Sequence, residues 1–207
     1  MHWPLLTNHK LEINECHVLV IRFPEKISNK TAAKQKRMVL IESILKDYTQ
    51  IPFLIETTGT GKPYLDSAEV HFNISHSQDI LVLAISHFPV GIDIEFIKKK
   101  DYQRFSSYFW GSDVISVYPK YTKSLAFFQA WTQTEAWVKY HGDTIFNHHS
   151  YIPNKLLSRD PITLENCKMV SFMPCVNALV SLCYNKRIET IKLKQLHSST
   201  DIHVNTE

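Results

Sequence analysis

Long hydrophobic runs are missing from this chain of 207 residues. No apolar stretch approaches the roughly 18 residues that a membrane-spanning helix needs, so no helical span is expected. The opening residues, Met1-His2-Trp3-Pro4-Leu5-Leu6, lack a basic region followed by a long apolar stretch, so a secretory leader is not expected either. Paired cysteines are also absent. Cys16, Cys167, Cys175 and Cys183 form no C-x-x-C, and four in a chain of this size read as reduced core residues rather than a disulfide framework. A cytoplasmic location follows as the expectation. There is no H-E-x-x-H, and the eleven histidines are scattered; His148-His149, the one adjacent pair, reads as a solvated loop. That argues against zinc. Gly61-Lys62-Pro63 lacks the first glycine spacing and helix start of a Walker loop. No G-x-S-x-G elbow exists, which disfavours a serine nucleophile. Excess charge is small too, at a formal +3. This falls short of a nucleic-acid-binding domain but favours an acidic partner or a polyphosphate ligand.

What is present is ordinary for a globular protein: 44% hydrophobic and 21% charged residues. The length allows one domain or two of about 100 residues each. Cys16 to Phe23 is β-rich and predicts an early strand. Asn29 or Thr31 can cap a helix running to about Tyr48, with Met38, Ile41, Ile44, Leu45 and Tyr48 as its apolar stripe. Lys34, Lys36 and Arg37 lie opposite and read as a solvated face. Thr57 to Pro63 is turn-rich. Strands are predicted at Val70 to Ile74, Ile80 to Ser86 and Val90 to Ile94, with Ser75 to Asp79 turning between the first two. Lys98-Lys99-Lys100 lies in a plausible seam, and a helix is expected over Tyr102 to Phe109. Lys123 to His141 is the best helix, with Phe127, Phe128, Trp131 and Val138 buried and Gly142 at the C′ position. Later strands are expected at Val170 to Phe172 and Ala178 to Tyr184, and a polar, frayed tail from about Leu196. Both halves read as a helix plus a few strands, an α+β composition that permits pseudo-duplication.

The most informative segment is Gly91-Ile92-Asp93-Ile94-Glu95, taken with Trp131 to Lys139. Residues two apart on a strand share a face, so Asp93 and Glu95 project together while Ile92 and Ile94 enter the core. Residues four apart on a helix share a stripe, which aligns Glu135 with Lys139. If strand and helix pack, three carboxylates and an ammonium converge. At about 4 Å and an effective dielectric near 20, each carboxylate pair repels by about 4 kcal/mol. A hard divalent cation relieves that repulsion, and oxygen-only ligands favour magnesium or manganese. Each feature has a plainer account. A strand terminus explains one carboxylate, and Glu135 with Lys139 can be a surface ion pair. Asn73-Ile74-Ser75-His76-Ser77 offers phosphate donors or simply an Asn/Ser-rich turn.

Together, G-K-P-Y (Gly61 to Tyr64), F-N-I-S-H-S (Phe72 to Ser77), V-G-I-D-I-E (Val90 to Glu95) and W-x-x-x-E-A-x-x-K (Trp131 to Lys139) resemble a 4′-phosphopantetheinyl transferase of the monomeric, surfactin-synthetase-activating type. The resemblance covers residues 61 to 139; the rest matches only in general character. It implies an enzyme that moves the phosphopantetheine arm of coenzyme A onto a serine of an apo acyl- or peptidyl-carrier protein, releasing adenosine 3′,5′-bisphosphate. By motif position Asp93, Glu95 and Glu135 would bind Mg²⁺ (or Mn²⁺) with the diphosphate, and Lys139 would contact the phosphates. Lys62, Ser75 and His76 would hold phosphates of the nucleotide end, with Arg37 as a helper. Glu135, directly or through a water, would take the serine proton.

The implied fold is two similar α+β halves with the coenzyme in the cleft between them. Residues 1–89 would contact the nucleotide, residues 90–195 would carry the metal and catalytic groups, and 196–207 would be the tail. Carrier proteins are acidic around their serine, which suits Lys98 to Lys100 and Lys120 to Lys123; neither a nucleic acid nor a membrane is expected as partner. Two positions depart from the family pattern. Thr134 stands where a lysine commonly precedes the helix glutamate, and a further acidic position falls at Asp113. Thr134 motivates a different expectation, a carrier-binding module with weakened catalysis. A metal-dependent nuclease would also use acids and a lysine, but its E-x-K strand signature is absent.

Overall fold

The computed structural model describes residues 10–23, 30–67, 69–98, 122–144, 162–164 and 166–197. Within these the architecture is α+β, with ten strands and two helices. The strands are β1 Glu15–Arg22, β2 Ile55–Thr57, β3 Pro63–Leu65, β4 His71–Ser77, β5 Ile80–Ser86 and β6 Val90–Phe96. They continue as β7 Ile162–Thr163, β8 Cys167–Cys175, β9 Ala178–Asn185 and β10 Thr190–His197. The helices are α1, Lys30–Lys46, and α2, Lys123–His141. The helix expected over Tyr102 to Phe109, together with Asn29, Lys99, Lys100, Asp113, Lys120, Tyr121 and His148-His149, falls outside the described residues.

One sheet has the order β10-β1-β5-β4 and a second the order β6-β9-β8-β7, beside a small β2–β3 ribbon. Strands buried on both faces need apolar residues at successive positions, and β1 and β5 have them. Leu19, Ile21, Leu81, Leu83 and Ile85 meet Leu40, Ile41, Ile44 and Leu45 of α1. Cys16, Val18, Val20, Ile80, Val82 and Ala84 point the other way, against Ile92, Ile94, Val180 and Leu182 of the second sheet. The far face of that sheet carries α2, with Ala136, Trp137 and Val138 on Met169 and Cys183. The layers therefore run α1, first sheet, second sheet, α2.

The apolar stripe expected of α1 is the one that packs, with Met38 and Tyr48 at its margin. α2 matches its expected bounds. Thr122 Oγ1 accepts the Leu125 N–H at its start. At its end Gly142 adopts φ 78°, its N–H bonding the Lys139 carbonyl and that of Asp143 the Val138 carbonyl. That pair of bonds is the Schellman arrangement, which a left-handed glycine permits.

Three expectations are corrected. Ser75 to Asp79 does not form the turn: β4 continues through Ser77, because Ser75 pairs with Val82 and Ser77 with Ile80. Only Gln78, at φ 53°, and Asp79 remain to reverse the chain. Leu196 and His197 are not part of a frayed tail, since they lie in β10, which pairs in parallel with β1 along its whole length; the rest of the expected tail, 198–207, falls outside the described residues. The last strand thereby crosses from the C-terminal region to the sheet formed by the N-terminal one. Finally, β8 extends well beyond Val170 to Phe172 in both directions, with an irregularity between Phe172 and Cys175.

Candidate active site

β4 and β6 are edge strands of different sheets, yet they lie side by side. Among the described residues no backbone ladder joins them; alternate side chains of β4 do so instead. Asn73 Oδ1 accepts the Ile92 N–H at 2.8 Å. Ser75 Oγ donates to Asp93 Oδ1 at 2.8 Å, and Ser77 Oγ donates to Glu95 Oε2 at 3.1 Å. The partners advance together along both strands, so the strands run in the same direction. With a side-chain period of two, Asn73, Ser75 and Ser77 share one face of β4, and His76 takes the other.

α2 closes the third side. Gly91 lies under its backbone: a Cβ there would stand 2.1 Å from the Ala136 carbonyl oxygen and 2.3 Å from the Tyr140 nitrogen. Only glycine allows an approach so close. Asp93 follows two residues later on the same face. Lys139 Nζ reaches Asp93 Oδ1 at 2.7 Å, Ser75 Oγ at 3.2 Å and the Ile92 carbonyl at 3.3 Å. These use the three donors of an ammonium. Asp93 is buried, and its Oδ2 has no hydrogen-bond partner among the described residues.

Glu135 lies one helical turn before Lys139, and its carboxyl is pushed up to about 7. Burial is the main cause; the negative Asp93 adds to it, Lys139 opposes it, and Glu95 contributes further. Glu95 is itself raised, by burial and then by Asp93. Like charges sharing a site disfavour simultaneous ionisation. The three acids are thus one electrostatic cluster, although among the described residues no group of three or more acidic, histidine or cysteine side chains stands close enough together to hold a metal ion as placed. The bare Asp93 oxygen and the all-oxygen donor set fit a hard divalent cation.

A cavity of about 390 Å³ opens beside this cluster, lined by Lys62, Pro63, Asn73, Glu135, Lys139 and Asp143 among others. Lys62 donates from Nζ to the Lys139 carbonyl, and Thr60 Oγ1 donates to the Gly142 carbonyl at 2.8 Å. The β2–β3 turn therefore holds the C-terminal carbonyls of α2, where a cation is favoured. Burial lowers the Lys62 ammonium below its usual range. His76 is lowered by partial burial, then by Arg37 of α1 and by Lys139, while Asp93 opposes the shift. Arg37, Lys139 and Asp93 therefore all lie within electrostatic reach of His76.

Most of the expected site residues gather here: Asp93, Glu95, Glu135, Lys139, Ser75 and Lys62, with His76 and Arg37 at the margin. The single proton of Ser75 goes to Asp93, so in this arrangement Ser75 meets an acid rather than an open anion site. Lys98 is exposed and within electrostatic reach of Glu95. Thr134 is fully buried in the packed side of α2. Asn73 and Ser77, expected as phosphate donors or turn residues, instead bond to β6, and the close contact at Gly91 was not expected. The matching alternations N-x-S-x-S and D-x-E were the available signal, but only adjacency of two sheet edges gives them meaning.

Known proteins with similar sequences bear on this arrangement. The chain is 29% identical over 174 residues to the 4′-phosphopantetheinyl transferase gsp of Aneurinibacillus migulanus, a match covering 76% of this chain and 73% of that protein. It is 39% identical over 114 residues to psf-1 of Bacillus pumilus, covering 52% of this chain and 48% of that protein. It is 32% identical over 111 residues to Sfp of Bacillus subtilis strain 168, covering 50% and 49%. The chain thus matches about half the length of the latter two. Residues 89–175, which include Asp93, Glu95, Glu135 and Lys139, match the family profile described as the 4′-phosphopantetheinyl transferase superfamily. With the motifs in order and the acids gathered around one lysine, the chain is similar to 4′-phosphopantetheinyl transferases, and the profile match spans the strand and the helix that carry those acids.

Proposed function

We propose that the protein transfers the 4′-phosphopantetheine arm of coenzyme A to a serine hydroxyl of an apo carrier protein and releases adenosine 3′,5′-bisphosphate. In that reaction the serine oxygen forms a bond to the phosphorus nearer the pantetheine. The bond from that phosphorus to the oxygen of the adenosine phosphate breaks, and the serine proton leaves. Phosphoryl transfer asks chiefly for positioning and charge neutralisation. The observation that carries the reading is Asp93, held at one oxygen by Lys139 and Ser75 and left bare at the other, beside a Glu135 pushed up to about 7. The position of Glu135 beside Asp93 suits it as the base for the serine, directly or through a water.

Asp93, Glu95 and Glu135 are the residues that would hold Mg²⁺ or Mn²⁺, which when bound supplies positive charge against the diphosphate. Lys139 has its ammonium at the same place and adds to that charge. The cavity lined by Lys62 and Lys139 is the space for the coenzyme's phosphates, with His76 and Arg37 at the nucleotide end. The two halves would then be residues 1–89 and 90–195, each with one helix-backed sheet except that β10 returns to the sheet of the first, and the β4–β6 seam would be the floor of the cleft. The mild positive charge supports an acidic carrier as partner. We also propose a monomer acting in the cytoplasm.

Mass spectrometry of apo carrier proteins incubated with the protein, coenzyme A and Mg²⁺ tests the reading. One added phosphopantetheine on the carrier is expected, dependent on both coenzyme A and the cation. The buried Thr134 favours a second reading, a carrier-binding module of weakened catalysis. Carriers that bind without gaining mass would establish it against the first.

A further inference from the structure

We infer that Ser77 is a positioning residue for the Glu95 carboxylate, completing a side-chain clasp from β4 that sets where the acids of β6 stand. The inference rests on the reading that Glu95 helps hold a divalent cation, and it assigns the group that keeps Glu95 in place.

Among the described residues β6 is an edge strand tied by a ladder only to β9. On its other side it meets β4 through the three bonds from Asn73, Ser75 and Ser77. Each has its own consequence. Asn73 accepts the Ile92 backbone N–H, which fixes the register of one strand against the other. Ser75 and Lys139 both serve Asp93 Oδ1, so the free oxygen of Asp93 is Oδ2. Ser77 takes Glu95 Oε2, which leaves Oε1 as the oxygen without that bond. Glu95 lies near the end of β6 and is only half buried. Its side chain has three rotatable bonds, and among the hydrogen bonds described Ser77 is the side chain that restrains it. Without that bond the carboxylate can swing to solvent, where burial and the neighbouring Asp93 both favour its going. The hydroxyl has one proton, and giving it to Glu95 makes Ser77 a support for the acid rather than a donor to phosphate. Partners of this kind orient ligating carboxylates, and losing one typically costs about 10- to 100-fold in metal affinity.

The test is Mn²⁺ binding to the whole chain, followed by the electron paramagnetic resonance signal of the free ion, without coenzyme or carrier. Ser77→Ala is expected to weaken binding by about 10-fold or more. Ser77→Thr keeps the hydroxyl and should remain within about 3-fold of the wild type. If Ser77 acts through Glu95, the alanine change should add less than about 2-fold in a Glu95→Ala background, since the two losses share one interaction. Thermal unfolding of each metal-free variant reports any general loss of structure. Full Mn²⁺ affinity in Ser77→Ala overturns the inference, as does equal weakening by Ser77→Ala and Ser77→Thr. A wild-type chain that takes up no Mn²⁺ overturns the metal reading and this inference together, whereas uptake that Ser77→Ala retains overturns this one alone.

Discussion

Asp93 carries two oxygens with opposite surroundings. Oδ1 receives Lys139 and Ser75, while Oδ2 is buried with no hydrogen-bond partner among the described residues. An unsatisfied buried oxygen on a charged group is costly, and it persists where function uses it. Asp93→Asn keeps the shape and removes the charge. It should lower kcat by on the order of 100-fold or more, the scale of losing one electrostatic contact made in the transition state. The melting temperature should move little, because the change also removes repulsion with Glu95 and Glu135. A variant turning over at the wild-type rate would place the acidic centre elsewhere.

Glu135 supplies a second residue-scale expectation, through pH. Its folded value of about 7 lies above the usual 4.5. Between those two values the folded state binds more protons than the unfolded chain, so stability falls as pH rises through that window and levels off above it. Glu95 shifts in the same direction. The melting temperature of metal-free protein should therefore drop from about pH 5 to about pH 8, with less of a drop in Glu135→Gln. Equal profiles for the two proteins would show that Glu135 is not the group responsible. These residues were legible as candidates because a D-x-E alternation and an i, i+4 pair each put two groups on one face. What each oxygen touches was not, since that depends on Ser75 and Lys139 arriving from different elements.

Elements place the residues, and the seating of α2 on β6 is the decisive contact. At Gly91 a methyl group would meet backbone atoms of α2, which cannot rotate away as a side-chain tip could. Gly91→Ala must lift the helix. Overpacking of this kind costs about 1–3 kcal/mol, and a displacement of about 1 Å at reacting groups can cost about 100-fold in rate. Gly91→Ala should thus lower both the melting temperature and kcat, and a variant with lowered stability but normal kcat would separate the site from the seating of α2. The helix itself was readable from its aromatic spacing and Gly142, because local periodicity and capping chemistry suffice. That Lys62, in a turn far away in sequence, would hold the carbonyl at its end was not, since nothing local distinguishes that lysine from a solvated one.

Over the whole molecule, two sheets packed face to face bring their outer strands together, and the candidate site lies on that seam. The first sheet depends on its last strand. β10 pairs in parallel with β1, contributes Leu196 to the core beneath α1, and brings Lys192 to within 2.6 Å of Glu15, which also contacts the buried His17. Ending the chain at residue 189 strips β1 of a neighbour and leaves Glu15 short of its cation. Losing the buried Leu196 alone costs about 2–5 kcal/mol, which corresponds to roughly 10 °C in a chain of this size. Such a truncation should unfold at a temperature lower by at least that margin in a thermal scan. Unchanged melting would mean that β10 is an appendage.

By itself the amino-acid order determined whatever depends on neighbours a few residues apart: the helix from Lys123, the paired faces of the strand from Val90, the acids as a set, and the family they resemble. Periodicity and capping act over short distances and leave their mark in the order of residues. Only the tertiary structure decided that Ser75 serves Asp93, that Ser77 restrains Glu95, and that the final strand returns to the first. Those depend on two sheet edges meeting, and such a meeting is set by the packing of the apolar faces between the sheets rather than by any one stretch of chain.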